Sequence, residues 1–132
     1  VRMVMAHSST MIGTDGLDRG SKPHPRAWGT YPRVLGKYVR EEGVISLENA
    51  IYKMTHMPAA KFGIANRGLV KEGYFADLVL FDPDTVIDRA TYENSRIGPS
   101  GMPHVIVNGK FAVKNGEHAG SRSGRALRRG QV

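Results

Sequence analysis

Residues 105–113 read Val105-Ile106-Val107-Asn108-Gly109-Lys110-Phe111-Ala112-Val113. Two apolar runs flank an Asn-Gly pair, and this pair favours a type I′ turn because both central residues of that turn need positive φ. An earlier apolar run at residues 76–81 and a second Asn-Gly pair at residues 115–116 extend the pattern. Beyond Gly68 the apolar residues follow a period of two, which indicates strands. We therefore predict a small antiparallel β domain over residues 67–120, followed by a basic flexible tail over residues 121–132.

The residues before this β domain carry helical patterns. Pro32 suits the first turn of a helix, and Gly43 supplies a residue at which that helix can end. Ser46 can cap a second helix, whose apolar residues follow the spacing of one helical face: Leu47, Ala50, Ile51 and Met54. Residues 58–63 predict one further helical turn that ends in glycine. The chain therefore combines a helical half with a β half.

A short strand and a long loop precede these helices. Residues 10–14 are a strand-like run, and Asp15-Gly16 ends it with residue types that favour turns. Residues 17–29 are predicted to form a polar loop, in which Pro23 and Pro25 stiffen the backbone around His24. Loops of this length in a domain are usually functional or disordered.

Three residues around this loop are candidates for chemistry. Asp15 places a carboxylate at the C-terminal end of the predicted strand, and in a (β/α)₈ barrel the active site is built at that end of the strands. Its alternative role is that of an ordinary turn residue. Arg26 can hold a substrate carboxylate in a bidentate pair, a geometry that guanidinium suits better than ammonium, or it is a solvated loop residue. His24 is a candidate because two prolines hold it a few residues after Asp15.

The chain has no cysteine, which excludes disulfides and thiolate metal sites. A metal ion would have to be held by His, Asp or Glu. The five histidines show neither a His-x-His pair nor a pair four residues apart: His7, His24, His56, His104 and His118. The sequence therefore contains no local metal-binding motif.

A net charge of +7 raises the question of a nucleic-acid partner. From residue 114 onward, five basic residues and one acidic residue account for +4 of that charge: Lys114, Arg122, Arg125, Arg128, Arg129 and Glu117. No aromatic residue alternates with them to stack on bases, so we favour a solvated tail and expect no nucleic-acid partner. No apolar run exceeds four residues, so we expect no membrane partner and no export signal. We expect a cytoplasmic protein, which the lack of cysteine fits.

Two groups of residues resemble a known family. The first group is residues 11–17, which read Met-Ile-Gly-Thr-Asp-Gly-Leu, and the second is residues 22–36, which include His24-Pro25-Arg26-Ala27-Trp28-Gly29-Thr30. Both groups are similar to the end of strand 8 and the following loop of N-acyl-D-amino-acid deacylases (D-aminoacylases) of the amidohydrolase superfamily. The resemblance continues through residues 53–63, 67–83 and 104–109, and covers residues 10 to 128. The run Gly-x-x-x-x-Gly-x-x-Ala-Asp-Leu-Val is shared by many amidohydrolases, whereas His-Pro-Arg-x-Trp-Gly-Thr is narrower.

This resemblance implies that the chain is the C-terminal portion of a longer enzyme. The first seven residues agree with this implication, because Val1–His7 read like the end of a helix that began earlier. Residues 1–66 would be the end of a (β/α)₈ metal-dependent hydrolase barrel, with its last strand, catalytic loop and helices. Residues 67–120 would be part of a small β-sandwich or β-barrel domain. In such enzymes, zinc polarises the amide carbonyl and lowers the pKa of its bound water. The substrates would be N-acyl-D-amino acids, hydrolysed to a carboxylate and a free D-amino acid.

The resemblance also implies roles for the three candidates. Asp15 matches the aspartate that accepts a proton from the attacking water and passes it to the leaving amine, and it is a possible zinc ligand. Arg26 would hold the α-carboxylate of the substrate, and His24 would also contact the substrate. The other metal ligands of the family are absent from these 132 residues, so we expect this chain alone to be inactive and to bind zinc poorly.

Two alternatives remain open. One is a cyclic amidohydrolase of the hydantoinase or dihydroorotase type, and the other is a non-catalytic β interaction module. The expected partners are a small N-acyl-D-amino acid and the rest of the parent polypeptide. Self-association is a further expectation, because the predicted strand at residues 10–14 would expose unpaired edges.

Overall fold

The computed structural model describes residues 1–128, with helices in the first half and strands in the second. The helices are α1 (Arg2–Ala6), α2 (Arg26–Arg33), a π-helix (Val34–Glu41), α3 (Leu47–Met54) and α4 (His56–Phe62). The strands are β1 (Leu78–Leu80), β2 (His104–Val107), β3 (Lys110–Lys114) and β4 (Glu117–His118). No helix in residues 1–128 is both long and apolar enough to span a lipid bilayer.

The four strands form one antiparallel sheet in the order β1-β2-β3-β4. At the turn between β2 and β3, φ is 48° at Asn108 and 78° at Gly109, as a type I′ turn requires. The second Asn-Gly turn, at residues 115–116, also has positive φ at both residues and leads into β4. A register shift between Val105 and Ile106 adds a bulge to the β2–β3 pair. The predicted antiparallel arrangement of the second half is confirmed.

Helix α2 begins inside the loop that the sequence predicts over residues 17–29. Pro25 already has helical dihedral angles, and its carbonyl accepts hydrogen bonds from the N–H groups of Trp28 and Gly29. The predicted end of the loop is therefore wrong, because Pro25 starts a helix instead of stiffening a loop. The predicted position of Pro32 in a first turn is also wrong, since Pro32 lies inside α2. Pro32 has no N–H to donate to the preceding turn, and the π-helix begins two residues later.

Three predicted helix ends agree with the structure. The Ser46 hydroxyl accepts a hydrogen bond from the Asn49 N–H at 3.2 Å and so caps α3. Gly43 follows the π-helix with a φ of 60°, and Gly63 follows α4 with a φ of 66°. Both glycines adopt the left-handed conformation that ends many helices. These local signals in the sequence are confirmed.

Residues 10–14 form no strand, contrary to the prediction. A strand needs a neighbouring strand to share its ladder of hydrogen bonds, and the strands of residues 1–128 all belong to the sheet of the second half. The N–H of Ile12 instead donates to the carbonyl of Lys53 in α3 at 3.2 Å. A helix therefore positions this segment in place of a sheet.

The apolar core joins the two halves of the chain. One buried cluster contains Val34, Leu35, Ile45, Ala50 and Val86, and Phe81 and Met102 pack against it. Two glycines allow the backbone of Val86 to enter this core. A Cβ on Gly36 would lie 2.5 Å from the Val86 carbonyl oxygen, and a Cβ on Gly101 would lie 2.5 Å from the Val86 nitrogen. The cluster thus contains residues from both sides of the predicted boundary between residues 1–66 and 67–120. The division into these two domains stays a prediction.

The C-terminal tail contacts the sheet where it is described. Residues 121–128 contain neither helix nor strand. The carbonyl of Ser123 accepts a hydrogen bond from Asn108 Nδ2 at 2.6 Å, and the Arg125 guanidinium lies 4.5 Å from the centre of the Phe75 ring. Residues 129–132 of the predicted flexible tail, including Arg129, lie outside the described residues.

Candidate active site

A cleft of about 350 Å³ lies between helix α2 and a segment that follows Val86. We call residues 16–25 the site loop and residues 88–96 the site wall. The end of the loop (His24 and Pro25) and α2 line one side of the cleft, and residues 88–93 of the wall line the other. The charged and aromatic residues in this lining are His24, Arg26, Arg33, Asp88, Tyr92 and Glu93.

Every fourth residue of the site wall contacts the opposite side. Three pairs connect the two sides: Arg33–Asp88 at 3.0 Å, His24–Tyr92 at 3.1 Å and Asp18–Arg96 at 2.7 Å. The hydrogen bond that Arg33 donates to Asp88 raises the pKa of the Arg33 guanidinium, so this side chain is charged at any physiological pH. The partners are 55 to 78 residues apart in the sequence. No local pattern could have indicated that these residues meet.

His24 has a protein partner at each ring nitrogen. Its Nδ1 accepts a hydrogen bond from the backbone N–H of Arg26 at 3.0 Å. Because a backbone N–H can only donate, the proton of the neutral ring lies on Nε2, which donates to the Tyr92 hydroxyl at 3.1 Å. The rings of His24 and Tyr92 also meet edge to face, with centroids 5.1 Å apart. His24 therefore orders the start of α2, and its predicted contact with a substrate stays a prediction.

Asp15 and Arg26, two of the predicted site residues, lie together. Arg26 Nη2 is 3.1 Å from Asp15 Oδ2. Asp15 adopts a φ of 45°, a conformation that Asp and Asn tolerate better than most residues. Its side chain is 87% exposed, whereas that of Arg26 is 45% exposed and lines the cleft. The structure thus brings a carboxylate and a guanidinium together at the edge of the cleft.

The described residues do not fit a complete metal site. In residues 1–128, no three His, Asp or Glu side chains converge closely enough to hold a metal ion. Both nitrogens of His24 have protein partners. Asp15 can offer a carboxylate oxygen, but within residues 1–128 it belongs to no group of three such side chains. A zinc ion at this cleft would need ligands from outside residues 1–128.

Asp77 is a charged residue of the β half that does not line the cleft. Its Oδ1 accepts a hydrogen bond from the Asn108 N–H at 2.8 Å, and Oδ2 forms an ion pair with Arg67. Arg67 Nη2 also donates to the Asn108 side chain at 2.7 Å. These contacts fix the β2–β3 turn, so Asp77 has a structural role.

Lys53, in α3, is not among the site residues that the sequence predicts. Its side chain is 1% exposed. Nζ donates to the carbonyl of His7 at 2.5 Å, and to the carbonyl and hydroxyl of Thr10 at 2.9 Å and 3.3 Å. These three bonds use all the donors of the amine. Lys53 therefore holds the segment that leads to Asp15, and its spacing of three from the buried Ala50 was the signal that could have found it.

We expect Lys53→Met to destabilise the chain by about 2 kcal/mol. Methionine keeps the length of the side chain but has no N–H, so the partly buried carbonyl of Thr10 loses its donor. Urea unfolding measures the change in free energy. Lys61→Met, which alters an exposed lysine of α4, is the control and should stay within about 0.5 kcal/mol of wild type. Equal stability of the two variants would contradict the holding role of Lys53.

Comparisons with known proteins give these residues a context. Residues 2–113 match the amidohydrolase family. Over 129 residues, the chain is 49% identical to D-aminoacylase and 48% identical to N-acyl-D-glutamate deacylase, both from Alcaligenes xylosoxydans xylosoxydans. These matches cover 98% of this chain, and 27% and 26% of the two relatives. The chain therefore spans about a quarter of the length of these curated relatives.

Solved structures give the same result. A D-aminoacylase with a binuclear metal centre matches 97% of this chain with a TM-score of 0.93 and 49% identity. N-acyl-D-glutamate deacylase from Bordetella bronchiseptica, complexed with zinc and a phosphonate inhibitor, matches 89% with a TM-score of 0.82 and 43% identity. The chain covers 27% and 26% of these two structures. A dihydroorotase from Lactobacillus gasseri is 44% identical over 46 residues, which are 35% of this chain and 11% of that protein.

Proposed function

This chain belongs to the amidohydrolase family, and we propose that it is the C-terminal part of a zinc-dependent enzyme that hydrolyses N-acyl-D-amino acids to a carboxylate and a free D-amino acid. The observation that carries this proposal is the Asp15–Arg26 pair, 3.1 Å apart at the edge of the cleft. The similarity to D-aminoacylase and N-acyl-D-glutamate deacylase, which extends over nearly the whole chain, supports the same substrate class.

Arg26 is proposed to bind the α-carboxylate of the substrate. Its ion pair with Asp15 uses Nη2, and within residues 1–128 its side chain has no other ion pair. The remaining N–H groups of the guanidinium are therefore available for a second carboxylate at the cleft. In a substrate bound in this way, the amide nitrogen lies only two bonds from the carboxylate carbon that Arg26 holds, so the bond to be cleaved is close to Arg26.

Asp15 is proposed to move the proton of the reaction. It accepts a proton from the water that attacks the acyl carbon, so that a C–O bond forms. The proton then passes to the leaving nitrogen as the C–N bond breaks, which yields the carboxylate and the free amine. The high exposure of the Asp15 side chain leaves it accessible to both water and substrate.

Zinc enters this proposal as a group held mainly by residues outside this chain. The metal-containing structures of similar deacylases support its use. Since residues 1–128 do not fit a complete metal site, we propose that Asp15 supplies at most one ligand. We also propose that this chain alone is inactive and binds zinc poorly.

The rest of the parent polypeptide is the proposed partner of the first half, in which residues 10–14 would become the last strand of a (β/α)₈ barrel. The apolar side chains of α1 support such a partner, because Met3 is 86% exposed and Val4 is 62% exposed. A second copy of the chain could cover the same side chains when the rest of the polypeptide is missing.

A cyclic amidohydrolase is the second candidate function. The local match to a dihydroorotase favours it, but that match covers 35% of the chain. The two candidates differ in substrate, because the amide bond that a cyclic amidohydrolase cleaves lies within a ring, whereas that of an N-acyl-D-amino acid is linear.

The test compares the intact protein with the 132-residue chain. We expect the intact protein to release free amine from N-acetyl-D-amino acids with apolar or acidic side chains, and not from the L-isomers. A chelator should abolish this activity, and added zinc should restore it. The 132-residue chain should show no hydrolysis and no stoichiometric zinc binding by calorimetry.

Two results would contradict the proposal. Hydrolysis of dihydroorotate or hydantoin by the intact protein, without activity on N-acetyl-D-amino acids, would favour the cyclic amidohydrolase. Robust zinc-dependent hydrolysis by the purified 132-residue chain, with contaminating enzyme excluded, would overturn the expected inactivity of the chain alone.

A further inference from the structure

Arg96 connects the site wall to the middle of the site loop. Its Nε and Nη2 donate to Oδ1 of Asp18 at 3.1 Å and 2.7 Å. Nη2 also donates to the carbonyl of Gly20 at 2.9 Å, and Nη1 donates to the carbonyl of Ser21 at 3.3 Å. The guanidinium carbon lies 5.9 Å from the centre of the Trp28 ring in α2. One side chain therefore joins the wall, the loop and the helix.

The site loop has Asp15 before its first residue and Arg26 after its last. The ion pair between these two residues closes the loop, but exposed ion pairs contribute little to stability. Bringing the ends of a flexible loop together costs conformational entropy. A second attachment near the middle of the loop leaves two shorter segments to order. The separation of Asp15 and Arg26 therefore depends in part on the attachment that Arg96 provides, in addition to the His24–Tyr92 contact at the end of the loop.

An arginine suits this attachment for a geometric reason. The guanidinium carries five N–H donors in a flat fork, which lets one side chain bond a carboxylate and two backbone carbonyls that point in different directions. A lysine has its three donors on a single atom and cannot reach these acceptors together. The flat guanidinium also packs against an aromatic ring better than an ammonium group does.

We propose that Arg96 is a positioning residue, which holds the site loop so that Asp15 and Arg26 keep the separation that a substrate requires. The effect on the reaction rests on the proposed function, whereas the attachment of the loop does not. The side chains of Arg96 and Asp18 are 47% and 53% exposed. Salt therefore screens part of this attachment, and the loop loosens as ionic strength rises.

The test uses Arg96→Ala and Arg96→Lys in the intact protein. Arg122→Ala is the matched control, because it removes the same charge from the exposed tail. Hydrogen–deuterium exchange of peptides from residues 16–25 reports whether the loop is held. We expect exchange about tenfold faster in Arg96→Ala, an intermediate increase in Arg96→Lys and no change in Arg122→Ala. In 0.5 M NaCl, wild-type exchange should move toward that of Arg96→Ala.

The activity measurement separates positioning from general stability. We expect kcat/KM for an N-acyl-D-amino acid to fall about tenfold in Arg96→Ala, with most of the loss in KM because Arg26 is no longer held in place. The thermal midpoint should stay close to that of wild type. A merely structural role would lower the thermal midpoint without this change in KM.

Unchanged exchange of the site loop in both Arg96 variants would overturn the inference. If exchange of the loop became faster while kcat/KM stayed unchanged, Arg96 would hold the loop, but its positioning role in the reaction would be overturned. If the wild-type intact protein does not hydrolyse N-acyl-D-amino acids, the proposed function fails, and the exchange measurement by itself then decides whether Arg96 holds the loop. Arg96→Lys provides the same comparison if Arg96→Ala does not fold.

Discussion

Asp15→Asn should lower the kcat of the intact protein on N-acyl-D-amino acids by about 10²- to 10⁴-fold. Asparagine cannot accept and return the proton that the proposed reaction moves. It does keep the size of the side chain, and it tolerates the φ of 45° that residue 15 adopts. A loss of activity in this variant therefore reports the lost carboxylate and not a change in the backbone.

The stability of Asp15→Asn should remain close to that of wild type. The mutation removes one ion pair with Arg26, and the Asp15 side chain is 87% exposed, so the pair contributes at most about 1 kcal/mol. Asp84→Asn is the control, because Asp84 is exposed and has no ion pair within residues 1–128. Steady-state kinetics and thermal unfolding of both variants test the expectation. Activity of Asp15→Asn within a few-fold of wild type would remove Asp15 from the chemistry.

Gly101→Ala should destabilise the chain by about 2 to 5 kcal/mol, the largest stability effect we expect from a single methyl group. Residue 101 has a φ of 72°, which costs an alanine about 1 to 2 kcal/mol. The new Cβ would also lie 2.5 Å from the nitrogen and 2.6 Å from the Cα of Val86. These are backbone atoms of a fully buried residue and cannot move aside as a side chain would. Two independent effects therefore act in the same direction.

Gly98→Ala is the matched control for this variant. Gly98 has no positive φ, and a Cβ there would meet nothing within 4 Å. We expect its unfolding free energy to stay within about 0.5 kcal/mol of wild type. Urea unfolding gives both values under the same conditions. If Gly101→Ala proved as stable as Gly98→Ala, Val86 would not be held between Gly36 and Gly101 as the structure describes.

Local signals predicted the parts of the fold that depend on a few neighbouring residues. Asn108-Gly109 predicts its turn because the positive φ of both residues is a local requirement. Ser46 predicts the start of α3 because the hydroxyl that accepts the capping hydrogen bond and the N–H that donates it are only three residues apart. The strand predicted at residues 10–14 is absent because strand pairing depends on distant neighbours. The predicted start of α2 is wrong because the same prolines favour both a stiff loop and the start of a helix.

In the candidate site as well, local patterns were predictable and contacts between distant residues were not. Asp15 and Arg26 were selected from the loop pattern and a family resemblance, but their separation of 3.1 Å came from the structure. Tyr92 and Arg96 were not selected, since the wall has neither regular secondary structure nor a motif, and its partners are 68 and 78 residues away. Lysine is rarely buried in proteins, so helical spacing alone did not predict that Lys53 would be buried.

The three pairs that join the site wall to the site loop and α2 restrict how this chain can be recombined with a relative. Each pair has one member between residues 18 and 33 and the other between residues 88 and 96. A chimera with its crossover anywhere from residue 34 to 87 takes the two members of all three pairs from different parents. A crossover beyond residue 96 keeps every pair from a single parent. The cleft is thus inherited as one unit, although its two sides lie far apart in the gene.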